Sequence, residues 1–190
     1  MPSRTEISKD AILKAAQAAL MQHGAHKVTV DGVARRAGCA KGLVHYHFKT
    51  KQGLLMEAAR GLVADRCGAW REVLSGGPAK QAITEAWDVL AAESADGTVR
   101  AWISLFGPEG PLPDQMVKEA LAALAGELGS GTERLFARSG LKPTIPAAEV
   151  GWLLGAVIHG MGLQLQARAD ERDLEGAFAA AWLGALSLFR

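Results

Sequence analysis

Between Thr29 and Leu55 the chain reads TVDGVARRAGCAKGLVHYHFKTKQGLL, a stretch that leaves room for little except short helices folded across a tight turn. Thr29 offers a hydroxyl N-cap just before Val30, Val33 and Ala34, which recur at helical spacing. Gly38 supplies a residue able to leave the helix through a left-handed conformation. Lys41 to Phe48 then has length for barely two turns, and Thr50 can cap a further helix in which Lys51, Leu54 and Leu55 open a new stripe. Helix, glycine-bearing turn, helix is the design in which the second helix lies in the major groove of DNA.

The second helix carries chemistry suited to that role. Lys41, His45, Tyr46 and His47 supply partners for phosphates or bases, and Leu43, Val44 and Phe48 supply apolar surface. Gly42 lets the backbone approach a phosphate without an intervening side chain. The combination of Thr29-Val30, the Ala34 to Gly38 turn, the aromatic-rich run ending in Phe48 and the following Lys51 resembles the tetracycline-repressor (TetR) family. The resemblance in motif covers about Ser8 to Met56. It implies DNA contacts from Thr29, Lys41, Gly42, Leu43, His45, Tyr46, His47 and Lys51. The chain departs from the family at four places. Leu43 stands where a small polar residue is usual, His45 and His47 where tyrosine is usual, and Ala40 where serine is usual. The lost hydroxyls remove phosphate contacts and a helix cap.

Charge divides the chain into two parts. Residues 1–55 hold nine Lys/Arg against three acids, a surplus of six, while the remainder holds twelve against seventeen, a deficit of five. A net charge of +1 therefore conceals a basic head on an acidic body, the pattern of a nucleic-acid module joined to a partner-binding module. With 49% hydrophobic residues the 190-residue chain can bury a core. Few β-branched residues and no period-2 alternation make it all-α. Its most apolar segment, 177–189, falls short of the roughly 18 residues that a membrane span needs. No charged segment followed by an apolar one opens the chain, so a cytoplasmic location is expected. Cys39 and Cys67 lack zinc spacing. No Gly-x-Ser-x-Gly elbow, phosphate-cradling loop or metal-spaced cluster appears, so neither an enzyme nor a cofactor is expected. His45 and His47, two apart on a helix, cannot share one metal.

Glycines and prolines punctuate about nine helices, near 8–23, 29–38, 41–48, 51–74, 79–93, 99–106, 114–139, 146–168 and 174–189. The Gly129-Ser130-Gly131 triplet suggests a break in the seventh. Three prolines and two glycines in 107–113 cannot continue a helix and suit a pocket rim. Helix 8 mixes Gly151, Gly155, Ala156, Gly160 and Gly162 with large apolar residues, and helix 9 is apolar nearly all round. A terminal helix of that kind must be covered from more than one side. The resemblance accordingly implies a homodimer in which Trp152, Gly155, Ile158, Phe178, Trp182 and Leu186 meet a second copy in a four-helix bundle. Trp87, Trp102, Phe106, Met116, His159 and Met161 fall on helices that surround a ligand cavity in the family. Rings, thioethers and one polar handle are what an apolar pocket uses.

The expectation is an N-terminal three-helix DNA-binding domain over residues 1–52 and a ligand-binding and dimerisation domain over residues 53–190. Together they would form a repressor that grips a near-palindromic double-stranded operator as a dimer and leaves it on binding a small hydrophobic effector. An effector-independent DNA-binding dimer is the alternative, and it requires a tightly filled regulatory core.

Overall fold

The computed structural model describes residues 8–167 and 170–190. Arg4 and Glu6, counted in the basic head, and Arg168, expected near the end of the eighth helix, lie outside the described residues. Nine α-helices occur among those described: α1 Lys9–His23, α2 Val30–Ala37, α3 Lys41–Phe48, α4 Lys51–Ser75, α5 Ala79–Asp96, α6 Thr98–Phe106, α7 Asp114–Ala137, α8 Ala147–Gln166 and α9 Glu171–Leu186. A 3-10 turn at Ala25–Lys27 follows α1. By packing, the chain forms two compact units, one of residues 1–62 with 96–114, the other of residues 63–95 with 115–190.

In the first unit Ser8 caps α1 by accepting the Ala11 N–H, and Ile12, Ala15, Ala16, Ala19 and Leu20 form its buried stripe. The spacing of three and four is what turns one helical face inward. Lys9 of α1 pairs with Glu57 of α4 at 2.7 Å. Val33 and Ala34 of α2, Val44 and Phe48 of α3, and Leu54, Leu55, Ala58 and Ala59 of α4 are buried with them.

The sixth helix belongs to this same unit. Gly97 precedes it at φ 94°, where a β-carbon would collide with the Met21 carbonyl oxygen. Arg100 donates to that carbonyl at 2.8 Å, so it satisfies an acceptor left over at the end of α1. Ser104 Oγ accepts the Ala25 N–H at 2.9 Å. By packing, this unit extends to residue 62 and takes in α6, which closes over the end of α1.

In the second unit α7 runs unbroken through Gly129-Ser130-Gly131, contrary to the break expected there. The glycines serve helix contact instead. A β-carbon on Gly129 would strike the Ala147 carbonyl of α8, one on Gly151 would strike the Ala125 carbonyl of α7, and one on Gly131 would press on Leu74 of α4. Small residues at such crossings let backbones approach closely. Helices α5 and α9 meet through Trp87 and Phe178, whose rings lie 5.5 Å apart. The segment after α9 pairs with the α7–α8 connection: Lys142 and Arg190 exchange both backbone hydrogen bonds, and the Thr144 N–H donates to the Leu188 carbonyl. Within this unit Arg66 of α4 and Glu93 of α5, 3% and 7% exposed, form a buried ion pair at 2.8 to 3.1 Å, and the Trp70 indole N–H donates to the same carboxylate.

Gly97→Ala tests the α6 docking. It adds a β-carbon both at a left-handed position and against backbone, and should cost on the order of 2–4 kcal/mol in chemical denaturation. A loss below about 0.5 kcal/mol would mean that α6 is not held against α1 in this way.

Candidate nucleic-acid interface and regulatory cavity

The α2–α3 pair is built by local rules. Thr29 Oγ1 accepts the Gly32 N–H at 3.1 Å and starts α2. Gly38, at φ 71° and ψ 27°, ends it, and the Cys39 N–H returns to the Ala34 carbonyl at 3.0 Å. Ala40 gives α3 no side-chain cap, as its departure from the usual serine implies. Thr50 caps α4 by accepting the Gly53 N–H at 2.9 Å.

On α3 the inward residues are Val44 and Phe48, and the exposed ones are Lys41, Gly42, His45 and Tyr46, the last 70% exposed. Leu43 and His47 are half-buried. The spacing puts Lys41, Gly42, His45 and Tyr46 on one face. Lys51 is exposed at the start of α4, while Thr29 is committed to its cap. The eight residues expected to meet DNA therefore lie on α3, at the N-cap of α2 and at the first position of α4, and all belong to the first unit.

Three features of this surface are not visible in the sequence. Asp31, in the first turn of α2, holds Lys41 Nζ at 3.2 Å. His45 Nδ1 lies 3.3 Å from the Lys49 carbonyl oxygen. The Lys49 ammonium sits over the Tyr46 ring at 5.4 Å, and His47 meets that ring edge-on at 5.2 Å. Asp31 and Lys41 are ten residues apart, and only the turn at Gly38 brings them together.

The residues expected to bind a ligand are divided between the two units. Trp102 and Phe106, their rings tilted with centres 4.4 Å apart, belong to the first unit, whereas Trp87, Met116, His159 and Met161 belong to the second. Of the six, His159 lines a cavity of about 190 Å³ between α7 and α8, with Leu121, Leu124, Ala125, Trp152, Gly155 and Ala156. Two residues assigned to the dimer contact, Trp152 and Gly155, are thus walls of that cavity. Ile158, Phe178 and Trp182, also expected at the dimer contact, are buried within the chain's own second unit, and Leu186 is half-buried. The large apolar residues exposed on these helices are Trp152, Leu153 and Leu163 of α8 and Leu183 of α9, the last 64% exposed.

His159 presents a neutral imidazole to the cavity near neutral pH. Burial, with the Arg66 charge adding to it, lowers its pKa from 6.5 to about 4. Between those values the folded chain binds fewer protons than the unfolded chain. The contribution of His159 to stability is therefore fully present above pH 6.5 and is lost as pH falls toward 4, by up to about 3 kcal/mol. His159→Phe should flatten this part of a urea-unfolding profile measured from pH 7 to 4.5. An equally steep decline in the variant would assign the pH dependence to other groups.

Residues 12–58 match the family model described as bacterial regulatory proteins, tetR family. The HTH-type transcriptional regulator BetI of Agrobacterium fabrum is 30% identical over 104 residues, covering 53% of this chain and 50% of the relative. The HTH-type transcriptional repressor KstR2 of Rhodococcus jostii is 29% identical over 87 residues, covering 46% and 43%. The chain thus matches half or less of the length of these relatives. A solved structure from Rhodococcus sp., assigned to the TetR-family transcriptional regulators, superposes with a TM-score of 0.75 at 24% identity, over 93% of this chain and 96% of the other. At that identity the likeness is one of fold.

Proposed function

The chain belongs to the tetR family of bacterial regulatory proteins, and from that premise we propose that it is a cytoplasmic transcriptional repressor that binds a near-palindromic operator as a homodimer and leaves it when a small hydrophobic effector binds. The observation that carries this reading is the outward face of α3. Lys41, Gly42, His45 and Tyr46 stand exposed together, backed by buried Val44 and Phe48, within the basic first 55 residues. A rigid helix with polar groups on one side and apolar anchors on the other is what major-groove reading uses.

Assembly and response have separate support. Trp152, Leu153, Leu163 and Leu183 leave an apolar surface on α8 and α9 that a second copy would cover. Two such copies would hold their recognition helices about 34–36 Å apart, one turn of duplex. The α7–α8 cavity, apolar apart from His159, suits a compact neutral ligand. Such a ligand would release DNA by favouring a head spacing that no longer fits the groove, and only to the extent of its differential affinity for the two states. One of the relatives is named a transcriptional repressor, which supports repression over activation.

The test begins with selection of preferred duplexes from a random pool by the full chain, followed by titrations against salt. Lys51→Ala should weaken binding to all sequences alike and reduce the salt slope by about one. Lys41→Ala should reduce the slope by less, because Asp31 already holds part of that charge. An unchanged slope for Lys51→Ala would take the start of α4 out of the interface. A pool that yields no preferred duplex would overturn the reading.

A further inference from the structure

Lys49 closes α3 in a conformation that most side chains avoid. Among the described residues it is the one non-glycine residue at positive φ, with φ 61° and ψ −47°. Across it the Thr50 N–H donates to the Phe48 carbonyl at 2.6 Å, which makes a γ-turn of the rare, strained, positive-φ kind. Glycine would adopt this turn without the steric cost of a β-carbon. The turn alone therefore gives no reason for a lysine, and strain retained beside a binding surface points to work done by the side chain.

Its surroundings show what that work is. The Lys49 ammonium lies 5.4 Å from the centre of the Tyr46 ring, which His47 meets edge-on. A cation over an aromatic face is attracted by the ring's quadrupole, so the ammonium restrains a phenol that is otherwise largely exposed. The backbone of the same residue holds the neighbouring imidazole. Its N–H donates to the His45 carbonyl at 2.9 Å, and its own carbonyl lies 3.3 Å from His45 Nδ1. With Nδ1 donating to that carbonyl, Nε2 is the imidazole nitrogen left to meet DNA. One strained residue thus fixes both polar side chains in the last turn of the recognition helix.

We propose that Lys49 is a positioning residue for sequence discrimination: beside an imidazole held by the backbone of the turn, its ammonium sets Tyr46 in the geometry that reads base edges in the major groove of duplex DNA. The inference rests on the DNA-binding reading above. It differs from a simple phosphate contact in a measurable way. A phosphate contact adds affinity for every duplex, whereas a positioning residue adds affinity only for the preferred one.

The experiment compares full-length parent, Lys49→Gly and Lys49→Arg on two probes at one salt concentration. The probes are the duplex selected from a random pool by the parent and a mixed-sequence duplex. Lys49→Gly keeps the turn and relieves its strain, so its melting temperature should equal or exceed that of the parent. The ratio of preferred to mixed-sequence affinity should nevertheless fall by about tenfold, the loss of one oriented base contact. Lys49→Arg, which keeps a cation over Tyr46, should restore most of the ratio. A Lys49→Gly variant with an unchanged ratio overturns the proposal, whether or not both affinities fall together. A parent that shows no preference between the two probes overturns the DNA-binding reading itself, a result distinct from the first.

Discussion

A helix of eight residues is not stable alone in water, where isolated helices shorter than about 12–15 residues are marginal. The surface offered by α3 therefore depends on the burial of Val44 and Phe48 in the core of the first unit. Those two residues, four apart, fix the rotation of the helix, and rotation decides which side chains face outward. Lys41, Gly42, His45 and Tyr46 are exposed because Val44 and Phe48 are not. The caps at Thr29 and Thr50 and the left-handed exit at Gly38 then fix where the helices on either side begin and end.

The second unit solves a different problem. Its long helices hold together by close backbone approach at Gly129, Gly131 and Gly151 and by large rings between them. Into that packing it buries an arginine and a glutamate. Removing two charges from water is costly, and the pair persists because three hydrogen bonds from Arg66 and one from Trp70 satisfy the carboxylate. The same guanidinium helps keep His159 neutral, which suits the imidazole to a cavity that is otherwise apolar.

Local signals in the sequence were legible, and long-range ones less so. Caps, glycine exits and apolar spacing place α1 to α4 almost to the residue, because each depends on neighbours within four positions. The Gly129-Ser130-Gly131 triplet misleads, since glycine weakens a helix by propensity yet is required where another backbone presses on it. Helix α9 reads as apolar all round. Only the fold shows that Leu174, Phe178, Trp182 and Ala185 face inward while Gly176, Ala180, Leu183 and Gly184 do not. A list of apolar residues carries no such direction, so Phe178 and Trp182 were expected at a contact with another copy although the core of their own unit claims them. Lys49 and Asp31 left no signal at all, because their roles arise from a turn geometry and from a distance that exists only after folding.

The start of α2, all of α3 and the first turn of α4 would form one surface that meets duplex DNA. Amide hydrogen exchange of the full chain, with and without its selected duplex, tests this most directly. The account predicts added protection concentrated between Thr29 and Lys51, with the largest change in α3. Protection that left α3 unchanged and fell elsewhere in the chain would contradict it.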